Sequence, residues 1–236
     1  MIKNINKLAI MGAMEEEIKP ILSHLTNINV VEYANNKYYE AKYGDLDIVV
    51  AHSKIGKVFS TLTASTMIQK FGCDVLLFSG VAGGINPDLE IGDLIVANKL
   101  CQHDLNITEF GHPLGFVPGG GVFVHTDDYL NSIALDVAKE NNISLKNGVI
   151  ATGDLFIAKQ STKDKLKTEF NADALEMEGA RVAVVCDSLN TPCLILRSIS
   201  DTADSSAEFN FEEFLKTAAD NSANFLIKII DKLVSK

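Results

Sequence analysis

Apolar and polar residues follow two different periods along this chain of 236 residues. Short runs such as KLAIMG at 7–12 and VLLFSG at 75–80 are apolar at most positions, which is typical of strands buried on both faces of a sheet. From Phe211 to Lys236, apolar residues recur every three or four positions, which predicts an amphipathic helix. Further strands are predicted at 38–42, 46–52, 93–100, 148–152 and 194–200, and further helices at 57–71, 127–141 and from near 15 and 178. This order predicts an α/β fold, and the absence of a repeat or linker predicts a single domain over residues 1–236.

Two carboxylates end an apolar run, LILRSISDTAD at 194–204. Its first half predicts a buried strand, and Asp201 then lies just past the carboxyl end of that strand. In open α/β sheets, ligands bind at this edge because the loops that leave the strands converge there. Asp201 is therefore a candidate catalytic residue. A structural role stays open, in which Asp201 or Asp204 caps a turn or the next helix.

Two further groups of acids lie where predicted helices begin. Glu15 to Glu17 follow the first strand, and Glu176 and Glu178 precede a largely apolar helix. Acids in a first helical turn complement the positive end of the helix dipole, which explains either group without catalysis. Carboxylates at the mouth of a buried helix otherwise need a partner or a ligand, so both groups remain candidates for a site.

Glycines and a long loop add two more features. The segment SGVAGGI at 79–85 predicts a turn after a strand that lets a ligand approach the backbone, although it matches no dinucleotide or phosphate-loop spacing. From Gln102 to Gly121 the periodicity is lost, which predicts a long loop of the kind that is usually functional. The apolar residues Ile107, Phe110 and Phe116 on this loop must be buried against the core, a ligand or another subunit.

Charge and composition exclude several classes of protein. The formal net charge is −10 and the pI is about 4.9, which argues against nucleic acid or an anionic membrane surface as a partner. No apolar stretch approaches a membrane span, and the first apolar run is too short for a signal peptide, so we expect a cytoplasmic protein. The four cysteines show no CxxC pair and no metal spacing with histidine, so we expect reduced core thiols and no zinc site.

A set of motifs, in order, resembles the bacterial 5′-methylthioadenosine/S-adenosylhomocysteine nucleosidases of the nucleoside phosphorylase superfamily. The motifs are GAMEEEI at 12–18, KIGKV at 54–58, SGVAGGI at 79–85, GDLFI at 153–157, and LEMEGA with RSISDTAD at 175–180 and 197–204. Each motif is weak alone, but together they span nearly the whole chain. The resemblance implies a three-layer αβα sandwich around a mixed, partly barrel-like sheet. It also implies a homodimer that hydrolyses the bond between adenine and a 5′-thio-substituted ribose, without a cofactor or a metal.

The resemblance further implies roles for individual residues. Asp201 would protonate nitrogen-7 of the adenine while Ser200 holds its carboxylate, and Glu17 would activate the attacking water. Met177 and Glu178 would contact the ribose hydroxyls. The other implied substrate-binding residues are Ala13, Met14 and Val81, the main chain of Phe156 and Ile157 at the base, Ile55 and Phe211 at the thioalkyl group, and Ile107, Phe110 and Pro118 from the neighbouring subunit.

The chemistry of such a reaction agrees with three carboxylates in different roles. Breaking an N-glycosidic bond creates a poor anionic leaving group and a cationic sugar, so the enzyme needs an acid at the base and negative charge near the ribose. Asp201 must hold a proton near neutral pH, which burial or a neighbouring carboxylate favours, whereas Glu17 must stay ionised.

Two other functions stay open on the same fold. A purine or methylthioadenosine phosphorylase uses phosphate in place of water and relies on arginine to bind it. This chain has only Arg181 and Arg197, and neither is expected near the glutamates at 15–17. A catalytically silent nucleoside-binding protein would be expected to lack a carboxylate, and none is missing.

The substrate range is also indicated by the motifs. Val81 stands where many members of the family have Ser or Thr. This version of the glycine segment, with QHDLN at 102–106 and HPLGFVPG at 112–119, resembles the members that also cleave 6-amino-6-deoxyfutalosine in menaquinone synthesis. The loop at 102–121 would leave room for the larger 5′ aryl group, although an apolar pocket closed by Ile107, Phe110 and Phe211 would oppose a carboxylate on it.

Overall fold

In the computed structural model, which describes residues 5–201 and 207–235, the chain folds around one ten-stranded mixed sheet. The strands are β1 (Lys7–Gly12), β2 (Thr26–Tyr33), β3 (Asn36–Tyr43), β4 (Leu46–His52), β5 (Val75–Gly84), β6 (Leu94–Gln102), β7 (Phe123–His125), β8 (Leu145–Thr152), β9 (Ala174–Glu176) and β10 (Cys193–Asp201). The helices are α1 (Glu15–Leu22), α2 (Lys57–Gln69), α3 (Asp128–Glu140), α4 (Gln160–Phe170), α5 (Gly179–Ser188) and α6 (Ala207–Val234).

Five strands of the sheet close into a barrel. β5 pairs in parallel with β10 and antiparallel with β9, and the ring continues through β6 and β8. β1 pairs with the first half of β5, and β4, β3 and β2 extend the sheet from β1. This topology confirms the predicted mixed, partly barrel-like sheet. β10 is buried throughout, as predicted. In the barrel it lies between two strands, parallel to β5 and antiparallel to β6.

Alternate residues of the central strands face two different hydrophobic cores, as the period of a strand requires. Leu8 and Ile10 of β1 pack in a core with α1, α3 and α6, whereas Ala9 and Met11 pack in a core with α2 and α5. A third cluster lies under α4. Helices therefore cover both sides of the sheet, which confirms the predicted αβα sandwich.

The sequence pattern does not predict β2, β7 or α4, and it misplaces one turn. β2 is an edge strand that is exposed at nearly every position, so it carries no apolar stripe, and β7 has only three residues. In α4 the buried face consists of Lys163, Leu166 and Phe170, and the charge interrupts the apolar period. The segment 79–85, predicted to be a turn, instead continues β5 to Gly84.

The structure also bears on the cysteines, the long loop and the membrane-spanning character of the helices. All four cysteines are free and buried, which confirms the predicted core thiols. The predicted long loop is confirmed, since β6 ends at Gln102 and β7 begins at Phe123, with a short 3₁₀ turn at Thr108–Phe110 between them. Within residues 5–201 and 207–235, no helix combines the length and the apolar character that crossing a membrane requires.

Candidate active site

A cavity of about 330 Å³ lies at the carboxyl ends of β5 and β10, the edge where the sequence predicts a ligand. Every site residue that the sequence predicts for this subunit's own pocket lines it: Ala13, Met14, Glu17, Ile55, Val81, Phe156, Ile157, Met177, Glu178, Ser200, Asp201 and Phe211. Glu176, the other acid of the second candidate group, also lines the cavity, as do Ala82, Gly83, Leu155 and Leu175, which the sequence did not assign to the site. The fold thus gathers residues from α1, β5, β9, β10, α6 and four loops around one space.

Glu17 lies in the first turn of α1 and is only 3% exposed. Its Oε2 accepts hydrogen bonds from the backbone N–H groups of Ala13 (2.5 Å) and Met14 (3.0 Å), and its Oε1 accepts one from Val81 (3.0 Å). Burial raises the pKa of Glu17 above 4.5, while the charge of Arg197 and the three backbone donors act in the opposite direction. Glu17 is therefore an immobilised carboxyl group of increased basicity, which suits a proton acceptor.

Two glycines of β5 let carboxylates reach the cavity. A β-carbon on Gly80 would lie 2.7 Å from Glu17 Oε1, and one on Gly83 would lie 2.9 Å from Asp201 Oδ1. The expectation of a turn in this segment is therefore wrong, because the segment continues β5 to Gly84, although Val81, Ala82 and Gly83 do line the cavity. Its glycines are needed because two acidic side chains pack directly against the strand.

Asp201 is the last residue of β10 and is 3% exposed. A bulge just before it shifts the register with β5, and the Asp201 side chain lines the cavity. Ser200 Oγ lies 3.3 Å from Asp201 Oδ2, and Lys163 Nζ, from α4, lies 3.3 Å from Asp201 Oδ1. Asp201 is buried, as expected from the sequence. The charged group next to its Oδ1, however, is the ammonium of Lys163 and not a carboxylate. Asp204, the alternative capping residue, lies outside the described residues.

Glu178 and Glu176 lie on either side of Met177 where β9 leads into α5. Glu178 Oε1 accepts a hydrogen bond from the Gly56 N–H at 2.8 Å. Burial raises the pKa of Glu178 to about 8, the charge of Glu176 adds to this effect, and the Gly56 N–H and Arg197 oppose it. Glu178 therefore holds a proton near neutral pH, and a hydrogen-bond donor or a positive charge in the cavity would favour its ionised form.

Arg197 and Glu176 form a buried ion pair beneath the cavity, with 2.8 Å between Nη2 and Oε2. The other terminal nitrogen of Arg197 donates to two main-chain carbonyls. The expectation that neither arginine lies near the first glutamates is wrong for Arg197, whose charge acts on Glu17. Its donors are nevertheless directed into the protein, and Arg181 lies 3.9 Å from Asp104. Both arginines thus have internal partners.

An ion cluster connects the loops around the cavity. Lys57 Nζ binds Asp104, in the loop after β6, and lies 3.5 Å from Asp154 Oδ2, in the loop after β8. Asp154 also accepts a hydrogen bond from the Lys57 N–H at 2.9 Å. The loops that carry Ile55 and Phe156 to the cavity are thereby fixed to each other.

The three residues predicted to serve the neighbouring subunit lie outside this cavity. Phe110 is 82% exposed on its loop, Pro118 is exposed, and Ile107 is half-buried. Since they are assigned to the pocket of another copy, their role stays a prediction.

Three residues that contact the carboxylates of the site were not identified from the sequence. Lys163 contacts Asp201, Arg197 contacts Glu176, and Thr152 Oγ1 donates to Glu176. No local motif identifies them, because each acts through a residue that is distant in sequence. The spacing of Lys163 from Leu166 is the one available signal, since it places a lysine on the buried face of a helix.

Known proteins resemble this chain along almost its whole length. Residues 7–231 match the family described as the phosphorylase superfamily. The chain is 59% identical over 227 residues to an aminodeoxyfutalosine nucleosidase of Campylobacter jejuni, covering 96% of this chain and 99% of that protein. It is 47% identical to the futalosine hydrolase of Helicobacter pylori, with a TM-score of 0.95 and 96% and 98% of the two chains covered. A mutant Helicobacter pylori methylthioadenosine/S-adenosylhomocysteine nucleosidase with 5′-methylthioadenosine in its active site matches at 47% identity and a TM-score of 0.95, over 96% and 99% of the two chains. The chain therefore belongs to the phosphorylase superfamily.

Proposed function

We propose that this protein hydrolyses the N-glycosidic bond of 5′-methylthioadenosine, S-adenosylhomocysteine, 5′-deoxyadenosine and 6-amino-6-deoxyfutalosine, and releases adenine. The convergence of Glu17, Glu178 and Asp201 on one cavity carries this proposal. The four substrates share adenine and ribose and differ at the 5′ substituent. Relatives named for futalosine and methylthioadenosine substrates support the same conclusion.

Asp201 acts as the acid at the leaving base. Adenine leaves poorly as an anion, so a proton delivered to nitrogen-7 lowers the barrier as the glycosidic bond breaks. The contacts of Asp201 with Ser200 and Lys163 fix the orientation of the carboxyl group. The electron pair of the broken bond then remains on a base that is neutral rather than anionic.

Glu17 accepts a proton from the attacking water. Three backbone donors immobilise its carboxylate, and burial raises its pKa above the ordinary value, which makes the carboxylate a stronger base. Glu17 packs against Gly80 of β5 and Asp201 packs against Gly83 of the same strand, and both line the cavity. An acid and a base are thus available to one bound substrate.

Glu178 and Met177 act on the ribose. In the free protein, burial and Glu176 keep Glu178 protonated near neutral pH. A ribose hydroxyl that donates to Glu178 and a developing positive charge on the sugar both favour the carboxylate form. The attraction therefore strengthens as the bond breaks, which is the condition for lowering the barrier rather than only binding substrate.

The apolar part of the cavity suits the 5′ substituent and the base. Phe156 and Phe211 pack edge to face with 5.8 Å between their ring centroids, and both line the cavity. Ile55 and Phe156 are about half exposed, so this end of the pocket has incomplete cover in one chain. A thioalkyl group or a larger aryl group would cover these side chains.

Water is favoured over phosphate as the nucleophile. A phosphorylase needs cationic donors that face the substrate, and arginine is the residue best suited to phosphate. Arg197 directs its donors to Glu176 and main-chain carbonyls, and Arg181 pairs with Asp104. Glu17, at the position proposed for the nucleophile, would repel an anion. A silent nucleoside-binding protein would have no need for this set of buried acids.

We also propose that the protein works as a homodimer. Val58, Phe59 and Leu62 are exposed on α2 at a spacing of three or four residues, so they share one face of the helix. Phe110 is the most exposed large apolar residue in the described part of the chain. A second copy would bury this apolar surface and would place Ile107, Phe110 and Pro118 at the open end of its partner's pocket.

Competition between 6-amino-6-deoxyfutalosine and 5′-methylthioadenosine for the purified protein tests the substrate range. We expect both to release adenine with catalytic efficiencies within about a thousandfold of each other, which corresponds to about 4 kcal/mol of transition-state stabilisation. Asp201→Asn is the matched control, because it should remove activity towards both. A larger disadvantage for the futalosine derivative would leave a dedicated methylthioadenosine/S-adenosylhomocysteine nucleosidase, and no adenine from either would refute the proposal.

A further inference from the structure

Helix α4 buries a lysine completely. The Lys163 side chain has no exposed surface, and it shares its helix face with Leu166 and Phe170. Lysine is almost never fully buried unless it is paired, because an ammonium loses its hydration when it leaves water. A lysine at this position therefore needs an explanation beyond packing, since leucine or methionine would complete the apolar face without a charge.

The ammonium of Lys163 is directed at the proposed acid. Its Nζ lies 3.3 Å from Oδ1 of Asp201, whose side chain is 5% exposed. Ser200 Oγ lies at the same distance from the other oxygen, Oδ2. The pair joins α4 to the end of β10 across 38 residues of sequence, and it lies at the edge of the cavity that Asp201 lines.

We propose that Lys163 is a positioning residue for catalysis, which orients Asp201 and stabilises the carboxylate that remains after the proton has passed to adenine. The inference rests on the proposed function, in which Asp201 is the acid. In the step, the proton moves from the Asp201 carboxyl group to nitrogen-7, and the electron pair of the glycosidic bond moves to the base. Lys163 keeps its own protons throughout and acts only through its charge.

The charge of Lys163 has two consequences of opposite sign. Before the reaction, an adjacent ammonium favours the ionised form of Asp201, so it limits the pH range in which Asp201 carries the proton that it must donate. During reaction, the same charge makes Asp201 a stronger acid and so speeds proton transfer. Among the residues that the structure describes, the other charged groups at the cavity are Glu17 on α1 and the glutamates at 176 and 178, with Arg197 of β10 paired to Glu176. An ionised Glu17 favours a protonated Asp201, and Lys163 opposes this effect, whereas Glu176 is paired with Arg197 and Glu178 itself holds a proton near neutral pH.

Lys163→Met tests this inference, because it keeps the length of the side chain and removes the charge. We expect kcat for adenine release to fall by about 10- to 100-fold, a fraction of what a general acid contributes, while KM changes little. We also expect the alkaline limb of the pH profile of kcat to move to higher pH by about half a unit or more, since without the ammonium Asp201 keeps its proton to higher pH. Lys165→Met, on the exposed face of the same helix, is the matched control and should behave as wild type.

Two parallel variants separate the possible failures. If Asp201→Asn keeps its activity, the proposed acid is wrong and the function proposal needs revision. If Asp201→Asn is inactive while Lys163→Met keeps both the wild-type kcat and the wild-type alkaline limb, the role of Lys163 is overturned. Should Lys163→Met fail to fold by circular dichroism, Lys163→Gln, which keeps a hydrogen-bond donor but no charge, is measured in the same way, and an unchanged profile has the same meaning.

Discussion

Replacing Glu178 with glutamine is expected to stabilise the protein at high pH while it removes activity. In the folded protein the pKa of Glu178 is raised to about 8 from the ordinary 4.5, mainly by burial. Between these pH values the folded state binds more protons than the unfolded state, so the stability of the wild type falls as the pH rises from about 4.5 to 8. Glutamine is neutral at every pH and keeps an oxygen that accepts the Gly56 N–H, so the variant escapes this loss.

The magnitude of the effect follows from the difference between the two pKa values of Glu178. The difference of 3.5 between 8 and 4.5 corresponds to at most about 5 kcal/mol of unfolding free energy at high pH. We expect Glu178→Gln and wild type to differ little near pH 5 and to differ by about 3 to 5 kcal/mol above pH 8.5. In a protein of this size, each kcal/mol changes the melting temperature by about 2 to 4 °C.

Thermal unfolding followed by circular dichroism, from about pH 5 to pH 9, measures this dependence. Glu169→Gln is the matched control, because Glu169 is exposed on α4 and its neutralisation should change stability little at any pH. A stability difference between Glu178→Gln and wild type that is independent of pH would refute the reasoning. Adenine release by the same preparation should be strongly impaired, since the variant cannot become negative as the sugar becomes cationic.

Three further variants test the proposed acid Asp201, its close packing against Gly83 of β5, and the proposed dimer. Asp201→Asn should fold normally and lose about 10²- to 10⁴-fold in adenine release, because an amide has no proton to deliver; near-normal release would show that another group is the acid. Gly83→Ala should reduce kcat without unfolding the protein, because the new β-carbon would lie 2.9 Å from Asp201 Oδ1, and a wild-type kcat would contradict the assigned contact. Phe110→Asp should weaken both self-association in sedimentation and the binding of thioalkyl nucleosides, and a wild type that sediments as a fully active monomer would exclude the dimer.

Features that depend on local apolar patterns could be predicted from the sequence. The buried strands β1, β5 and β10 carry continuous apolar runs, and the predicted family and sandwich are both confirmed. β2 could not be found in this way, because an edge strand exposed on both faces has no apolar stripe. α4 was missed because Lys163 occupies a position of its buried face that is normally apolar.

In the candidate site, too, some residues could be predicted from the sequence and others could not. Residues such as Glu17 and Asp201 were identified because motifs resemble those of a family, and the fold brings them to one cavity. The supporting contacts from Lys163 and Arg197 could not be predicted, since each pairs with a carboxylate that only tertiary structure brings near. The glycines of β5 were recognised but misinterpreted, because their cause is the close packing of two acidic side chains and not a turn.

The central claim is that water, activated by Glu17, attacks a ribose whose adenine is protonated by Asp201. Product analysis of 5′-methylthioadenosine cleavage, with and without inorganic phosphate, tests this claim most directly. We expect adenine and free 5-methylthioribose at the same rate in both conditions, because Arg197 and Arg181 have internal partners and Glu17 repels an anion. A requirement for phosphate, with 5-methylthioribose 1-phosphate as the product, would contradict the account and assign the chain to phosphorolysis.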